Sequence, residues 1–344
     1  MVTEMTSKER VIAMLNRKPV DRIPIITGST MVVENINKSG AIWPDLHKNA
    51  EMMIDVSSKM YTDIGVDSII FPFSACVEAA SLGLEVSMGR IDIHPSVKSF
   101  FKSPDDVDYS KFLESDFVKT TIEAAGIAKD KYPDAAKSIL IVGPVTLAGY
   151  LAGANNLSKL SIRCLQKEKY MDTITEWLEV ALDVNKIYAK ACINAGADYI
   201  QCGDPSASTN LVMPEFYNKV AVPFEKELGD FIKSKGLPWV LHICGNMALC
   251  IEGMAKTGAN CLSIEQTVDM KDAVRLAGDT PVAGNIAPLL VVDGTYEDII
   301  KSTRYALDSG AKASMLGCGT PPLSTSDRLK TWVKAVHDWS SENM

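Results

Sequence analysis

Short apolar runs alternate with amphipathic helical stretches along most of this chain. Eight runs are apolar and rich in β-formers, and each ends in Gly, Pro or small polar residues. They are Ile23–Thr27, Ser68–Phe73, Ser138–Val142, Tyr199–Cys202, Trp239–Ile243, Cys261–Ile264, Pro281–Ala283 and Ala313–Leu316. Continuous rather than alternating apolarity predicts strands covered on both faces, as in a parallel sheet. Between them, Asn49 to Ile64 carries Met52, Met53, Val56, Met60 and Ile64 at helical spacing. The stretches Tyr170–Ala195, Pro214–Ser234, Met247–Thr257, Met270–Ala277 and Tyr296–Ser309 follow the same pattern. Ser7–Asn16 predicts a short opening helix with Ser7 as its N-cap, and Thr325–Trp339 a closing one.

Several helices run into a small-Gly-Ala element just before the next strand. Examples are Ala195-Gly196-Ala197-Asp198, Thr257-Gly258-Ala259-Asn260 and Ser309-Gly310-Ala311. This is the connection of a repeating β/α unit, with glycine closing the helix. Eight such units predict a TIM (β/α)8 barrel in a single domain spanning residues 1–344. The widest gap falls between the second and third strands. It predicts an insert, Ser87 to Lys137, with a hairpin and a helix near the barrel mouth.

At 344 residues the chain can bury the core such a barrel needs. Its 47% hydrophobic and 23% charged content is ordinary for a water-soluble globular domain. A net charge of −8 without a basic cluster argues against nucleic acid or an anionic membrane as partner. The opening segment Met1–Arg10 is polar, which gives no secretory leader. The longest uncharged run, between Lys137 and Lys159, holds Pro144, three glycines and two asparagines, so it predicts a strand and a glycine-rich loop rather than a membrane span. The cysteines are scattered and predict reduced thiols in a cytoplasm.

The candidate chemistry lies in Trp239-Val240-Leu241-His242-Ile243-Cys244-Gly245-Asn246. Residues i and i+2 of a strand share a face, so His242 and Cys244 project together. Two ligands do not hold zinc, and the best third is Cys318 in Met315-Leu316-Gly317-Cys318-Gly319-Thr320. Three protein donors leave a coordination position open, which is the arrangement of a catalytic zinc. The competing reading is core filling, because the chain has 8 Cys and free cysteine is a common core residue. The barrel favours the metal reading. Active sites of this fold sit at the C-terminal ends of the strands. His242 and Cys244 end the fifth strand, Cys318 the eighth, Glu265 the sixth, and Asp204 the fourth. Cys202, Cys250 and Cys261 have no such placement.

With these residues in hand, the chain resembles the uroporphyrinogen decarboxylase superfamily. The carriers are Lys8-Glu9-Arg10, Lys18-Pro19-Val20-Asp21-Arg22-Ile23-Pro24, Gly143-Pro144 and the late Gly-Cys-Gly-Thr-Pro-Pro. Within it, His242-x-Cys244 and Cys318 match the zinc ligands of the methylcobamide:coenzyme M methyltransferases of methylotrophic methanogens. Decarboxylases of the superfamily hold substrate carboxylates with an arginine-rich N-terminal loop. Here Thr27-Gly28-Ser29-Thr30-Met31 has no arginine.

The resemblance implies a zinc enzyme of methanogenesis from methylated C1 compounds. It implies one Zn2+ per chain, coenzyme M as the thiol substrate, and methylcobamide supplied by a corrinoid partner protein. Glu265 is then a candidate fourth ligand in the resting state, and Asp204 a group that orients His242 or shapes the pocket. Glu78 is a weaker candidate. A sulfonate would call for Arg22, Arg90, Arg163 or backbone amides. Two alternatives remain: a relative that demethylates a methoxylated or methylated substrate onto a corrinoid, and a barrel with only structural zinc.

Overall fold

The structure is a computed structural model and describes residues 4–28 and 31–344. Ser29 and Thr30 of the arginine-free stretch lie outside the described residues, as do Met1–Thr3. Among the described residues eight strands form: β1 (Ser68–Phe71), β2 (Val86–Ser87), β3 (Ser96–Val97), β4 (Ala136–Val142), β5 (Tyr199–Gly203), β6 (Trp239–Ile243), β7 (Cys261–Ile264) and β8 (Val282–Ala283). Six of them make one sheet in the order β1-β4-β5-β6-β7-β8. Every pairing in it is parallel. The pair β2–β3 is the small antiparallel hairpin expected in the insert.

The first and eighth predicted runs join the sheet through single bridges instead of full strands. Ala313 bridges Ala283, and Ile25 bridges Ser314, both parallel. On the other side, the Asp67 N–H donates to the Ile25 carbonyl at 2.8 Å. These bonds link the two outer strands, β8 and β1, and the fold is the expected TIM (β/α)8 barrel. Pro24 explains part of the shortening, because it has no N–H to give a ladder. Its carbonyl still accepts from the Ser314 N–H at 2.9 Å.

The barrel axis is filled from below. Ile26, Ala136, Tyr199, Val240, Cys261, Ala283, Ala313 and Met315 form an interior layer, and Val11, Met14 and Leu15 of the first helix (Ser7–Leu15) pack onto it. A larger shell of apolar residues lies between the strands and the outer helices. The barrel interior is thus packed at its foot, and in this fold active sites sit at the C-terminal ends of the strands. Among the described residues no helix is long and apolar enough to cross a membrane.

Two expectations need correction, and a third holds with a change of helix type. The first helix is capped by Thr6, not Ser7. Thr6 accepts from the Glu9 N–H while the Glu9 carboxylate accepts from the Thr6 N–H, a reciprocal capping box. Ser7 instead donates to Asp67 at 2.7 Å. The glycine-rich stretch after β4 is helical, as Pro144–Ala152 and Ala154–Arg163. Pro144 fits the first turn of a helix, and Gly153, at φ 83°, breaks the two apart. The predicted helix over 49–64 forms as Ala50–Lys59 and a closing π-helical turn, Met60–Ile64, which ends at Gly65 in the left-handed region.

The motif residues Arg10, Asp21 and Arg22 belong to the barrel's foot. Asp67, fully buried just before β1, accepts from Arg10 Nη1 at 2.8 Å and from both Nη atoms of Arg22 at 2.8 and 2.7 Å. It also takes the Ile25 N–H at 2.8 Å. Asp21 pairs with Arg10 at 2.6 Å. Two cations thus meet two carboxylates across three chain segments. Asp67→Ala leaves both guanidiniums without their shared partner. It is expected to cost about 3–5 kcal/mol in urea unfolding; a loss under about 1 kcal/mol would show that the cluster does not hold the barrel's foot.

Candidate metal centre

The register of the sheet sets up the site. His242 on β6 lies between Gly203 of β5 and Ser263 of β7. Ser263 therefore faces His242 directly, and its Oγ lies 3.0 Å from His242 Nδ1, with its carbonyl at 3.3 Å. A hydrogen bond at Nδ1 fixes the ring and leaves Nε2 as the free donor atom. That nitrogen is 3.2 Å from Cys244 Sγ, and Cys244 Sγ is 3.6 Å from Cys318 Sγ. The three donor atoms all lie within 4.8 Å of one another. His242 is buried, and both cysteines are half-buried at the mouth.

Two glycines make this convergence sterically feasible. Gly245, at φ 82°, turns the chain sharply after Cys244. At Gly317 a Cβ would sit 2.6–2.7 Å from Gln266, so only glycine lets the Cys318 turn press against the loop after β7. Thr320 then ties that turn to the first barrel segment through Thr27, Oγ1 to Oγ1 at 2.9 Å.

The three donors are electrostatically linked. A hydrogen bond from Cys244, reinforced by His242, pushes Cys318 down to about 3. That same bond, with burial, drives the Cys244 thiol strongly upward. Burial opposes charging of His242, yet its contact with Cys318 raises it. A divalent metal would displace the protons that these donors share. The donor chemistry therefore fits a soft or borderline metal ion.

The structure places the other predicted residues as follows. Glu265 follows β7 at the edge of the cluster. Its carboxylate accepts from the Gly245 N–H, within the turn that carries Cys244, and from Gln266 Nε2 at 3.2 Å. Asp204 is fully buried and turned away from His242. It accepts from the N–H groups of Val145 (3.1 Å) and Thr146 (2.6 Å) and from the Thr146 hydroxyl (2.6 Å). It caps the helix Pro144–Ala152 from the neighbouring loop. The expectation that Asp204 orients His242 is corrected: Ser263 does so, and Asp204 meets that residue only through its backbone N–H, 2.8 Å from the His242 carbonyl. Burial pushes Asp204 up to about 6 against these bonds. Burial, and then the charge of Asp204, raise the buried Glu225, whose carboxyl also accepts from Tyr217 at 2.7 Å.

Glu78 is buried too, accepts from the Val142 N–H at 2.8 Å, and is pushed up to about 8 by burial. Arg22 is spent at the barrel's foot. Arg90 pairs with Asp92 at 3.3 Å, and Arg163 lies over the Tyr170 ring at 5.4 Å. Sequence reasoning missed Ser263 and His94. A lone polar residue inside Cys261-Leu262-Ser263-Ile264 was the signal for Ser263. His94, in the insert beyond β2, lies within electrostatic reach of Cys318; nothing in its local sequence marks it.

Fold and donor set together define a class: a (β/α)8 barrel whose thiol and imidazole donors gather at the rim where barrel enzymes do their chemistry. Comparison with known proteins then gives the family. The chain belongs to the uroporphyrinogen decarboxylase (URO-D) family, which matches residues 6–339. It is 33% identical, over 98% of its length and 99% of the relative's, to "Methylcobamide:CoM methyltransferase MtbA" of Methanosarcina mazei. It is 30% identical, with the same coverage, to "Methylcobamide:CoM methyltransferase MtaA" of Methanosarcina barkeri. A solved "methyltransferase from Methanosarcina mazei" superposes with a TM-score of 0.92 at 28% identity, covering 98% of this chain and 99% of that one.

Two measurements check the site. Ser263→Ala removes the bond that fixes His242 and is expected to weaken metal affinity roughly 10–100-fold in a competition titration with a chromogenic chelator; unchanged affinity would dismiss the orienting role. Chelation should leave the far-UV circular dichroism spectrum intact, because the core clusters contain none of the three donors. Global unfolding on chelation would instead mark a structural metal.

Proposed function

We infer that this chain moves a methyl group from a methyl–Co(III) corrinoid to the thiol of coenzyme M. The observation that carries the reading is the donor trio at the barrel mouth, in a chain whose relatives of matching length are named methylcobamide:CoM methyltransferases. His242 Nε2 and the sulfurs of Cys244 and Cys318 would hold one zinc ion per chain, with Glu265 as the candidate fourth ligand at rest. Zinc in that set would supply a Lewis acid that keeps a substrate thiol ionised at neutral pH.

The residues of the chain do the rest by placement. Ser263 holds His242 in one orientation. Glu265 braces the Gly245 turn and so the position of Cys244. Asp204 sets the start of the helix that walls the neighbouring loop. In the reaction the thiolate donates an electron pair to the methyl carbon. The S–C bond forms as the Co–C bond breaks, and the departing pair stays on cobalt as Co(I).

The corrinoid would come on a partner protein docked over the mouth. Exposed leucines stand on the loops that follow the strands there: Leu211 beyond β5, Leu249 beyond β6, Leu289 beyond β8 and Leu323 beyond Cys318. Leu249 is 79% and Leu289 68% exposed, an arrangement suited to the apolar core of an interface. A reducing cytoplasm is the matching compartment for eight free thiols.

The test is a methyl-transfer assay with methylcobalamin and coenzyme M. Activity should require zinc, and mixing thiol with the zinc-loaded protein at neutral pH should release about one proton per site. Cys244→Ala and Cys318→Ala should lose zinc and activity, while Cys250→Ala should keep both. Transfer to other acceptors but not to coenzyme M would point to the demethylase alternative. Leu249→Glu and Leu323→Glu are expected to raise KM for a protein-bound corrinoid roughly tenfold, with free methylcobalamin unaffected. Equal effects on both donors would remove the docking surface.

A further inference from the structure

A cavity lies at the end of the barrel opposite the donor trio, among the loops that lead into the strands. Its volume is about 770 Å³, within the usual range for a small-molecule site. The walls are apolar: Met14, Ile23, Val274, Leu307 and Trp339 all line it. The Trp339 indole N–H is spent on Asp308 at 2.8 Å, so its ring offers the cavity only apolar surface.

Three cations line the same cavity: Arg17, Lys18 and Lys312. Among the described residues none of the three makes an ion pair, although the chain as a whole carries a net charge of −8. The Asp279 side chain and the terminal carboxylate of Met344 share the lining, so three positive charges less two leave a surplus of one. All three are exposed, whereas the more buried Arg10 and Arg22 are paired with Asp67.

The backbone at Arg17 is also distinctive. Arg17 closes the first helix with φ 57°, in the left-handed region. Among the described residues it is the sole non-glycine with positive φ, and twelve glycines hold such conformations elsewhere. Glycine is the residue that such a helix end favours. Arginine there carries a conformational cost, while its N–H donates to the Met14 carbonyl at 2.9 Å and the Lys18 N–H to the Ala13 carbonyl at 2.8 Å to close the helix.

We propose that this cavity is a binding site for an anionic amphiphile, a ligand with an apolar body and one carboxylate or phosphate head. The apolar walls take the body, and Arg17, Lys18 and Lys312 take the head with charge-assisted hydrogen bonds. The site is separate from the metal rim: Lys312 enters the eighth barrel segment from below, and Cys318 leaves it above. It stands whether or not the methyl-transfer reading does.

The experiment is an equilibrium titration of the full folded chain, below the micelle threshold of each probe. The probes are dodecanoate, dodecyl phosphate, dodecyltrimethylammonium and inorganic phosphate. Both anionic amphiphiles should bind one site per chain, and their ratio identifies the preferred head. The cationic amphiphile and bare phosphate should bind at least tenfold more weakly. Arg17→Gly is the decisive variant, since glycine relieves the left-handed strain while removing the charge. It should raise the melting temperature yet weaken anion binding about fivefold. Lys312→Glu should weaken binding further. Equal affinity for the cationic amphiphile, no binding of either anion, or undiminished binding by Arg17→Gly and Lys312→Glu would each overturn the site.

Discussion

The structure depends on one buried carboxylate. Asp67 accepts hydrogen bonds from Ser7, Arg10, Arg22 and the backbone of Ile25, and so joins the first helix, the turn after it and the first barrel segment to β1. An isolated ion here would be costly, but the two guanidiniums and the partner carboxylate of Asp21 make the group neutral as a whole. The location gives the cluster its weight. The first segment contributes single bridges rather than a strand, so side-chain bonds hold the ring where the backbone ladder is thinnest. If that seam opened, the eighth segment would lose its neighbour, and Cys318 would lose its fixed distance from β6.

The two ends of the barrel are built differently for this reason. The foot is plugged by Val11, Met14 and Leu15 against an interior layer that includes Ile26 and Met315. The rim has no such plug, and its turns are shaped by glycine. Gly245 and Gly317 place two sulfurs 3.6 Å apart from loops 74 residues distant in sequence. Packing supplies the rigidity below, and backbone freedom supplies the close approach above.

Much of this was legible in the sequence, for a physical reason. Continuous apolar runs and small-Gly-Ala connections specify a parallel barrel, and strand periodicity puts His242 and Cys244 on one face. Cys318 followed once the ends of the strands were taken as one rim. What escaped depends on register and direction. Ser263 becomes the partner of His242 only when β6 and β7 are aligned. Asp204 was read at the right rim but with the wrong neighbour, since chain order does not say which way a carboxylate turns. The stretch after β4 was read as a loop from its glycines. In the structure Pro144 opens a helix there, and tertiary packing buries both it and Val145, Leu147 and Leu151. His94 comes from the insert, whose approach to Cys318 has no local signature.

The donor set also bears on the choice between catalytic and structural metal. A structural zinc is closed by four protein ligands and is worth most where the core is too small to fold alone. Here three donors converge, all of them outside the apolar clusters that hold the barrel together. The nearby carboxylate of Glu265 is already engaged with the Gly245 N–H and Gln266. A metal in this position would be held by the finished fold instead of creating it. Three protein donors would leave such a metal one further coordination position, which is what a thiol substrate needs.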